Sequence, residues 1–118
     1  MFIVLSPDPV IGQDLVETIR EYHNDATIKH FGSVCETVKG LSDAQSVRGI
    51  FVNANTDDLG DTDIFEVLNS YGAFIVLMND LPVEIMSPVK PDRILSISFP
   101  FTSDAVHETL RQISVHRP

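Results

Sequence analysis

Short apolar runs alternate with amphipathic stretches along this chain. The apolar runs cover residues 2–5, 26–31, 49–54, 73–78 and 94–99. Runs of this length, bounded by polar residues, prolines and glycines, predict strands. The second run is of mixed polarity, which favours the edge of a sheet, whereas the fourth is apolar on both faces, which favours the centre. The pattern therefore predicts five strands, each followed by a stretch of helical spacing.

Two helix starts carry clear capping signals. Asp8 stands before Pro9, a pattern typical of an N-cap followed by proline at the first helical position. Ser33 and Glu36 form a capping-box pattern. We place Cys35 on the apolar face of the helix that this box opens, where core packing is the expected role.

The second half of the chain gives further boundaries. Gly72 stops the helix that follows the third strand. Three prolines within residues 82–91 leave room for one or two helical turns around residues 83–86. Thr102 or Ser103 caps the last helix.

The strand–helix alternation predicts the architecture. Connections of this length are crossovers, which require parallel strands and right-handed windings. The sheet is then covered by helices on both faces. In such α/β folds the functional crevice lies beyond the carboxyl ends of the strands. The residues expected there are Ser6, Pro7, Asp8, Asn53, Met78 and Phe99.

Composition limits the function. The chain has 118 residues, 43% of them hydrophobic, which predicts one globular domain over residues 1–118. Eight Lys and Arg residues against seventeen Asp and Glu give a net charge of −9, so we expect no direct binding to nucleic acid or to an anionic membrane. The single cysteine, the strand-like N-terminus and the short apolar runs predict a cytoplasmic protein without a membrane span.

The chain resembles the receiver domain of two-component response regulators over essentially its whole length. The resemblance rests on residues 2–10, 50–53, 74–78 and 98–101, which follow one another in the family's order. It implies a flavodoxin-like, doubly wound parallel sheet of five strands in the order 2-1-3-4-5, with helices on both faces.

The chain departs from the family at the site of phosphorylation. Receiver domains use an acceptor aspartate, two acids that bind Mg²⁺, a hydroxyl and a lysine. The resemblance places other residues there: Ser6 and Pro7 for the acidic pair, Asn53 for the acceptor, Met78 for the hydroxyl and Phe99 for the lysine. Asp8 and Pro100 remain in register. Because a neutral amide cannot form an acyl phosphate, we expect a degenerate phosphoacceptor pocket with no catalytic residue, metal or cofactor.

A second surface follows from the resemblance. Receiver domains commonly dimerise or dock effectors through the fourth helix, fifth strand and fifth helix. The apolar residues in this region are Ile85, Met86, Val89, Phe99 and Phe101. They either form an exposed interaction face or fill the space left by a shortened helix. The resemblance implies a sensor kinase, an output domain or a second copy of this chain as partner.

These observations favour a phosphorylation-independent pseudo-receiver, free-standing or at the N-terminus of a longer regulator, that acts through protein–protein contact. Two alternatives stay open. One is a working phosphoreceiver that uses an aspartate outside the motif, among Asp57, Asp58, Asp61 and Asp63. The other is a small flavodoxin-like ligand-binding protein or enzyme, which requires a polar pocket near Asn53.

Overall fold

The fold is a parallel sheet covered by helices. A computed structural model of the chain describes residues 1–44, 46–53, 64–78, 89, 91–97 and 101–115. Five strands form one sheet in the order β2-β1-β3-β4-β5, and every neighbouring pair is parallel. The strands are β1 (Phe2–Leu5), β2 (Ile28–Phe31), β3 (Gly49–Val52), β4 (Phe74–Leu77) and β5 (Ile94–Ser96). The predicted fold class and strand order are confirmed.

The helices form two layers. In chain order the described helices are α1 (Pro9–Tyr22), α2 (Val34–Ser42), α3 (Ile64–Ser70) and α4 (Ser103–Val115), with a short 3-10 turn at Pro91–Arg93. One core cluster joins the sheet to α1 and α4, and a second joins its other face to α2 and α3. The predicted covering of both faces is therefore confirmed.

Burial explains the composition of the strands. All residues of β1, β3 and β4 are buried, whereas β2 is half-buried at its two end residues and exposed at the two residues between them. Successive side chains of a strand point to opposite faces, so a strand covered on both sides must be apolar throughout. The mixed polarity of β2 and its edge position agree with the sequence prediction.

The predicted caps of α1 and α2 are present. The Asp8 carboxylate accepts a hydrogen bond from the backbone N–H of Val10 at 2.9 Å. The Ser33 hydroxyl accepts one from the Glu36 N–H at 3.1 Å, and the Glu36 carboxylate accepts one from the Gly32 N–H at 3.3 Å. The return bond thus reaches the residue before the cap, where a capping box would bind the cap itself.

Several element boundaries differ from the predictions. The second strand begins at Ile28, the third ends at Val52 and the fourth covers Phe74–Leu77, so each is shorter than its apolar run. Of the two candidate caps of α4, Thr102 takes the role, because its hydroxyl accepts a hydrogen bond from the Ala105 N–H at 3.1 Å. The turns expected around residues 83–86 lie outside the described residues.

The prediction that Cys35 packs in the core is wrong. Cys35 is exposed, and the buried residues of α2 are Val34, Thr37 and Leu41. Each helical step turns the side chain by roughly 100°. Cys35 follows Val34 by one step and is carried out of the buried stripe, to which residues at spacings of three and four return.

Gly72 ends α3 with a complete Schellman motif. The Gly72 N–H donates to the Asn69 carbonyl at 3.0 Å, and the Ala73 N–H donates to the Leu68 carbonyl at 3.2 Å. This pair of bonds defines the motif, which needs a left-handed residue at its centre. Gly72 has a φ of 68°, and the chain then enters β4 directly.

We expect Gly72→Ala to lower the free energy of unfolding by about 1–2 kcal/mol, because a Cβ disfavours the left-handed backbone. Chemical denaturation measures this change. Gly32→Ala is the matched control, since a Cβ meets no atom within 4 Å at either glycine and only Gly72 has a positive φ. Equal stability of the two variants would contradict the assignment of strain to Gly72.

Candidate functional site

The carboxyl ends of three buried strands are level with one another. Leu5 pairs with Val52, and Val52 pairs with Leu77. The residues that follow these three are Ser6, Asn53 and Met78. The ladder continues through them, because the Asn53 N–H donates to the Leu5 carbonyl at 2.8 Å and the Met78 N–H to the Val52 carbonyl at 2.9 Å. The register therefore brings the three predicted crevice residues to one edge.

The Ser6 hydroxyl is the centre of this edge. Ser6 is fully buried, and its hydroxyl donates to the Asp8 carbonyl at 3.2 Å. The same oxygen accepts hydrogen bonds from the Asp8 N–H at 3.3 Å and from the Asn53 side-chain amide at 3.4 Å. One donor and two lone pairs are all that a hydroxyl offers. The Ser6 side chain is thus satisfied entirely within the protein.

Asp8 is the acid that the resemblance keeps in register. Its carboxylate oxygen Oδ1 accepts from the Val10 N–H at 2.9 Å and from the Ile11 N–H at 3.4 Å. The carboxylate therefore caps α1, where the helix dipole also favours a negative charge. Pro7, the neighbouring crevice residue, is exposed.

Met78 belongs to the core. It is 2% exposed and lies in the cluster formed by the sheet, α1 and α4. A thioether at this depth contributes apolar packing and only a weak acceptor. Phe99, the last of the predicted crevice residues, and Pro100, which remains in register with the family, lie outside the described residues.

His30 is a crevice residue that the sequence did not reveal. Its Nε2 lies 3.0 Å from the Ser6 carbonyl oxygen, and since that oxygen can only accept, the imidazole donates. The ring packs so closely over Gly12 of α1 that a Cβ there would collide with it. A glycine inside α1 facing the edge strand was the available signal, but only the fold brings the two residues together.

In the described part of the crevice, Asp8 is the one residue with a carboxylate. Ser6, Asn53 and Met78 carry no charge, and Asp8 is turned to the helix cap. Among the described residues no group of three or more His, Cys, Asp or Glu side chains could hold a metal ion. The four aspartates considered as alternative acceptors, Asp57, Asp58, Asp61 and Asp63, lie outside those residues.

The predicted interaction face is described at two positions. Val89 is 4% exposed and packs in the core cluster beside α2 and α3, which favours the packing alternative for this residue. Phe101 is half-buried against the cluster beneath α1 and α4. Ile85, Met86 and Phe99 lie outside the described residues.

No helix in the described part of the chain is long and apolar enough to cross a membrane.

Comparison with known proteins identifies the fold. No protein-family model and no curated protein sequence matches the chain. The solution structure of SdrG from Sphingomonas melonis Fr1 matches with a TM-score of 0.70 and 16% identity, over 97% of this chain and 95% of that one. A response regulator receiver domain protein from Bacillus halodurans C-125 matches with a TM-score of 0.69 and 11% identity, over 99% and 96%.

A third similar structure belongs to a protein with a different assigned role. CpaE from Burkholderia thailandensis E264, a protein assigned to pilus assembly, matches with a TM-score of 0.65 and 14% identity, over 98% of both chains. At these identities the likeness is one of fold. The chain has the fold of a response regulator receiver domain along nearly its whole length.

We expect Gly12→Ala to displace His30 and break its bond to the Ser6 carbonyl. Alanine is favoured over glycine inside a helix by about 1 kcal/mol. In the wild-type protein the collision of the new Cβ with the His30 ring offsets this gain in stability, and in a His30→Ala variant the gain should be observed. Gly12→Ala should therefore stabilise the His30→Ala variant by about 1 kcal/mol and the wild-type protein by less, or not at all. A double-mutant cycle in urea measures the difference, and equal effects in both backgrounds would contradict the contact.

Proposed function

We propose that this chain is a signalling module that uses the receiver fold for protein–protein contact in a two-component-type pathway, without accepting a phosphoryl group in its crevice. The observation that carries the proposal is the hydrogen-bonded set of Ser6, Asp8 and Asn53. These side chains stand where the resemblance expects the acceptor and the metal-binding acids, and they satisfy one another or a helix terminus.

The first step of the argument concerns the nucleophile. Phosphorylation of a receiver needs a carboxylate that attacks the phosphoryl group. Asn53 has an amide, and its nitrogen donates to the Ser6 hydroxyl at 3.4 Å. An amide neither forms the acyl phosphate nor carries the negative charge that draws a cation to the site.

The second step concerns charge compensation. Mg²⁺ binds through carboxylate oxygens and waters, and it neutralises charge on the phosphoryl group during transfer. The Asp8 carboxylate caps the N-terminus of α1, and the buried apolar side chain of Met78 stands where the resemblance expects the hydroxyl. With Phe99 at the position of the family's lysine, a bound phosphoryl group would meet too little positive charge.

The third step concerns the mode of action. A receiver fold that is not switched by phosphate can still present a surface, and we propose that residues 1–118 act as one cytoplasmic domain in this way. The net charge of −9 favours a protein over a nucleic acid as direct partner. The fold occurs in a response regulator receiver domain protein and in a protein assigned to pilus assembly, which supports a sensor kinase, an output domain or a second copy as partner.

Incubation with acetyl phosphate and Mg²⁺, followed by intact-protein mass spectrometry, tests the loss of phosphorylation. We expect no mass increase of one phosphoryl group in the wild-type chain. Asn53→Asp is the matched variant, and we expect it to stay unmodified as well, because the missing acids and lysine remain missing. Phosphorylation of the wild-type chain at Asp57, Asp58, Asp61 or Asp63 would contradict the proposal. It would support the alternative of a phosphoreceiver that uses an aspartate outside the motif.

Truncation of the predicted interaction face tests the contact. We expect Ile85→Ala combined with Met86→Ala to weaken self-association or partner binding about tenfold or more, since buried apolar anchors carry about 1–2 kcal/mol or more each. Sedimentation equilibrium measures the first and pull-down with a cognate kinase the second. Val10→Ala, at an α1 side chain that is 67% exposed, is the control. Unchanged association and binding in the double variant would remove this face from the proposal.

A further inference from the structure

A groove opens at the amino ends of the strands, opposite the crevice. It has a volume of about 810 Å³, within the range of small-molecule sites. Arg48 directly precedes β3, Arg93 directly precedes β5, and Phe74 begins β4 between them. Neighbouring strands lie about 4.8 Å apart, so the two arginines flank β4 with roughly 10 Å between their strands.

Arg93 is fixed at one side of the groove. Its guanidinium lies over the Phe74 ring, with Cζ 4.8 Å from the ring centroid, and donates to the Gly72 carbonyl at 2.9 Å. These contacts hold the plane of the guanidinium in place. A guanidinium has five N–H donors, so most of its donors are not used by the Gly72 bond.

Arg48 lies on the other side and forms no ion pair with any residue that the structure describes. Arg48 is half-buried, and within the described residues its guanidinium has no carboxylate within 4 Å and donates no hydrogen bond. The pKa of His23 is lowered mainly by burial and further by the positive charge of Arg48, whereas the negative charge of Asp25 raises it. Among the described residues, the buried imidazole Nε2 of His23 has no hydrogen-bond partner. The described lining of the groove thus contains two arginines and no carboxylate.

The local charge contrasts with the rest of the chain. The chain carries −9 overall with eight Lys and Arg residues, and two of them line this one groove. Partly buried cations lose hydration, and without a counter-charge that loss costs free energy. A ligand that supplies negative charge would compensate both groups.

The lining also indicates what else the ligand must offer. Ser46, Asn69 and Ser70 add polar groups beside the arginines, whereas Val47 and Ile113 are buried apolar residues. Guanidinium groups bind carboxylate and phosphate oxygens in a bidentate manner. We propose that the groove binds a small organic oxyanion with two or more negative charges on phosphate or carboxylate groups, held between Arg48 and Arg93. This site lies at the opposite edge from the crevice and does not rest on the proposed function.

Titration followed by ¹H–¹⁵N spectra tests the site, with pyrophosphate and citrate as probes at constant ionic strength and acetate as the monoanion. We expect saturable shifts of the Arg48, Asn69 and Gly72 amides with at least one polyanion, and weaker ones with acetate. A response to pyrophosphate alone assigns the phosphate class, and a response to citrate alone assigns the carboxylate class. Absence of saturable shifts with both, or shifts spread evenly over the protein, would overturn the proposal.

Variants then separate the two arginines from general charge. Arg48→Gln should raise the dissociation constant about tenfold or more. Arg48→Lys should raise it less, because lysine keeps the charge but cannot make the bidentate hydrogen bonds of a guanidinium. Lys29→Gln removes the same charge from exposed β2 and should leave binding unchanged. The spectra themselves report whether each variant is folded. Equal weakening by Arg48→Gln and Lys29→Gln would show that only net charge matters and would refute the site.

Discussion

Backbone pairing in a sheet buried on both faces is the constraint on which the rest of this structure depends. All residues of β1, β3 and β4 are buried, so their N–H and C=O groups must pair with neighbouring strands. Pairing continues one residue beyond the strands, through the amides of Asn53 and Met78. Because these bonds fix the register, they also fix which side chains meet at the carboxyl edge. The crevice is a consequence of the ladder.

Much of the fold could be predicted from local signals. The Asp8–Pro9 start of α1, the Ser33 cap of α2 and the Gly72 stop of α3 each depend on residues a few positions apart. The order of the strands was implied by the resemblance to receiver domains, and strand polarity predicted only an edge position for the second strand and a central one for the fourth. Cys35 was misplaced because its face is set by packing against the sheet, and one helical step separates a buried position from an exposed one.

The site was less accessible to sequence reasoning, since its contacts are non-local. The Asn53–Ser6 bond joins residues 47 positions apart, and the His30–Ser6 bond joins residues 24 positions apart. The positions of Ser6 and Asn53 could be predicted from strand ends, but the closure of their hydrogen bonds could not. His30 gave no signal by itself, because its role depends on Gly12 leaving room for the ring.

The two ends of the sheet therefore differ in how polar groups are compensated. At the carboxyl edge the Ser6 hydroxyl uses its donor and both lone pairs on Asp8 and Asn53, so an incoming ligand would have to break bonds before making any. At the amino edge Arg48 has no described partner, and Arg93 is held by stacking with donors to spare. Binding favours sites whose groups are already placed and not yet satisfied. By that criterion the amino edge is better prepared for a ligand than the edge where the receiver fold usually does its chemistry.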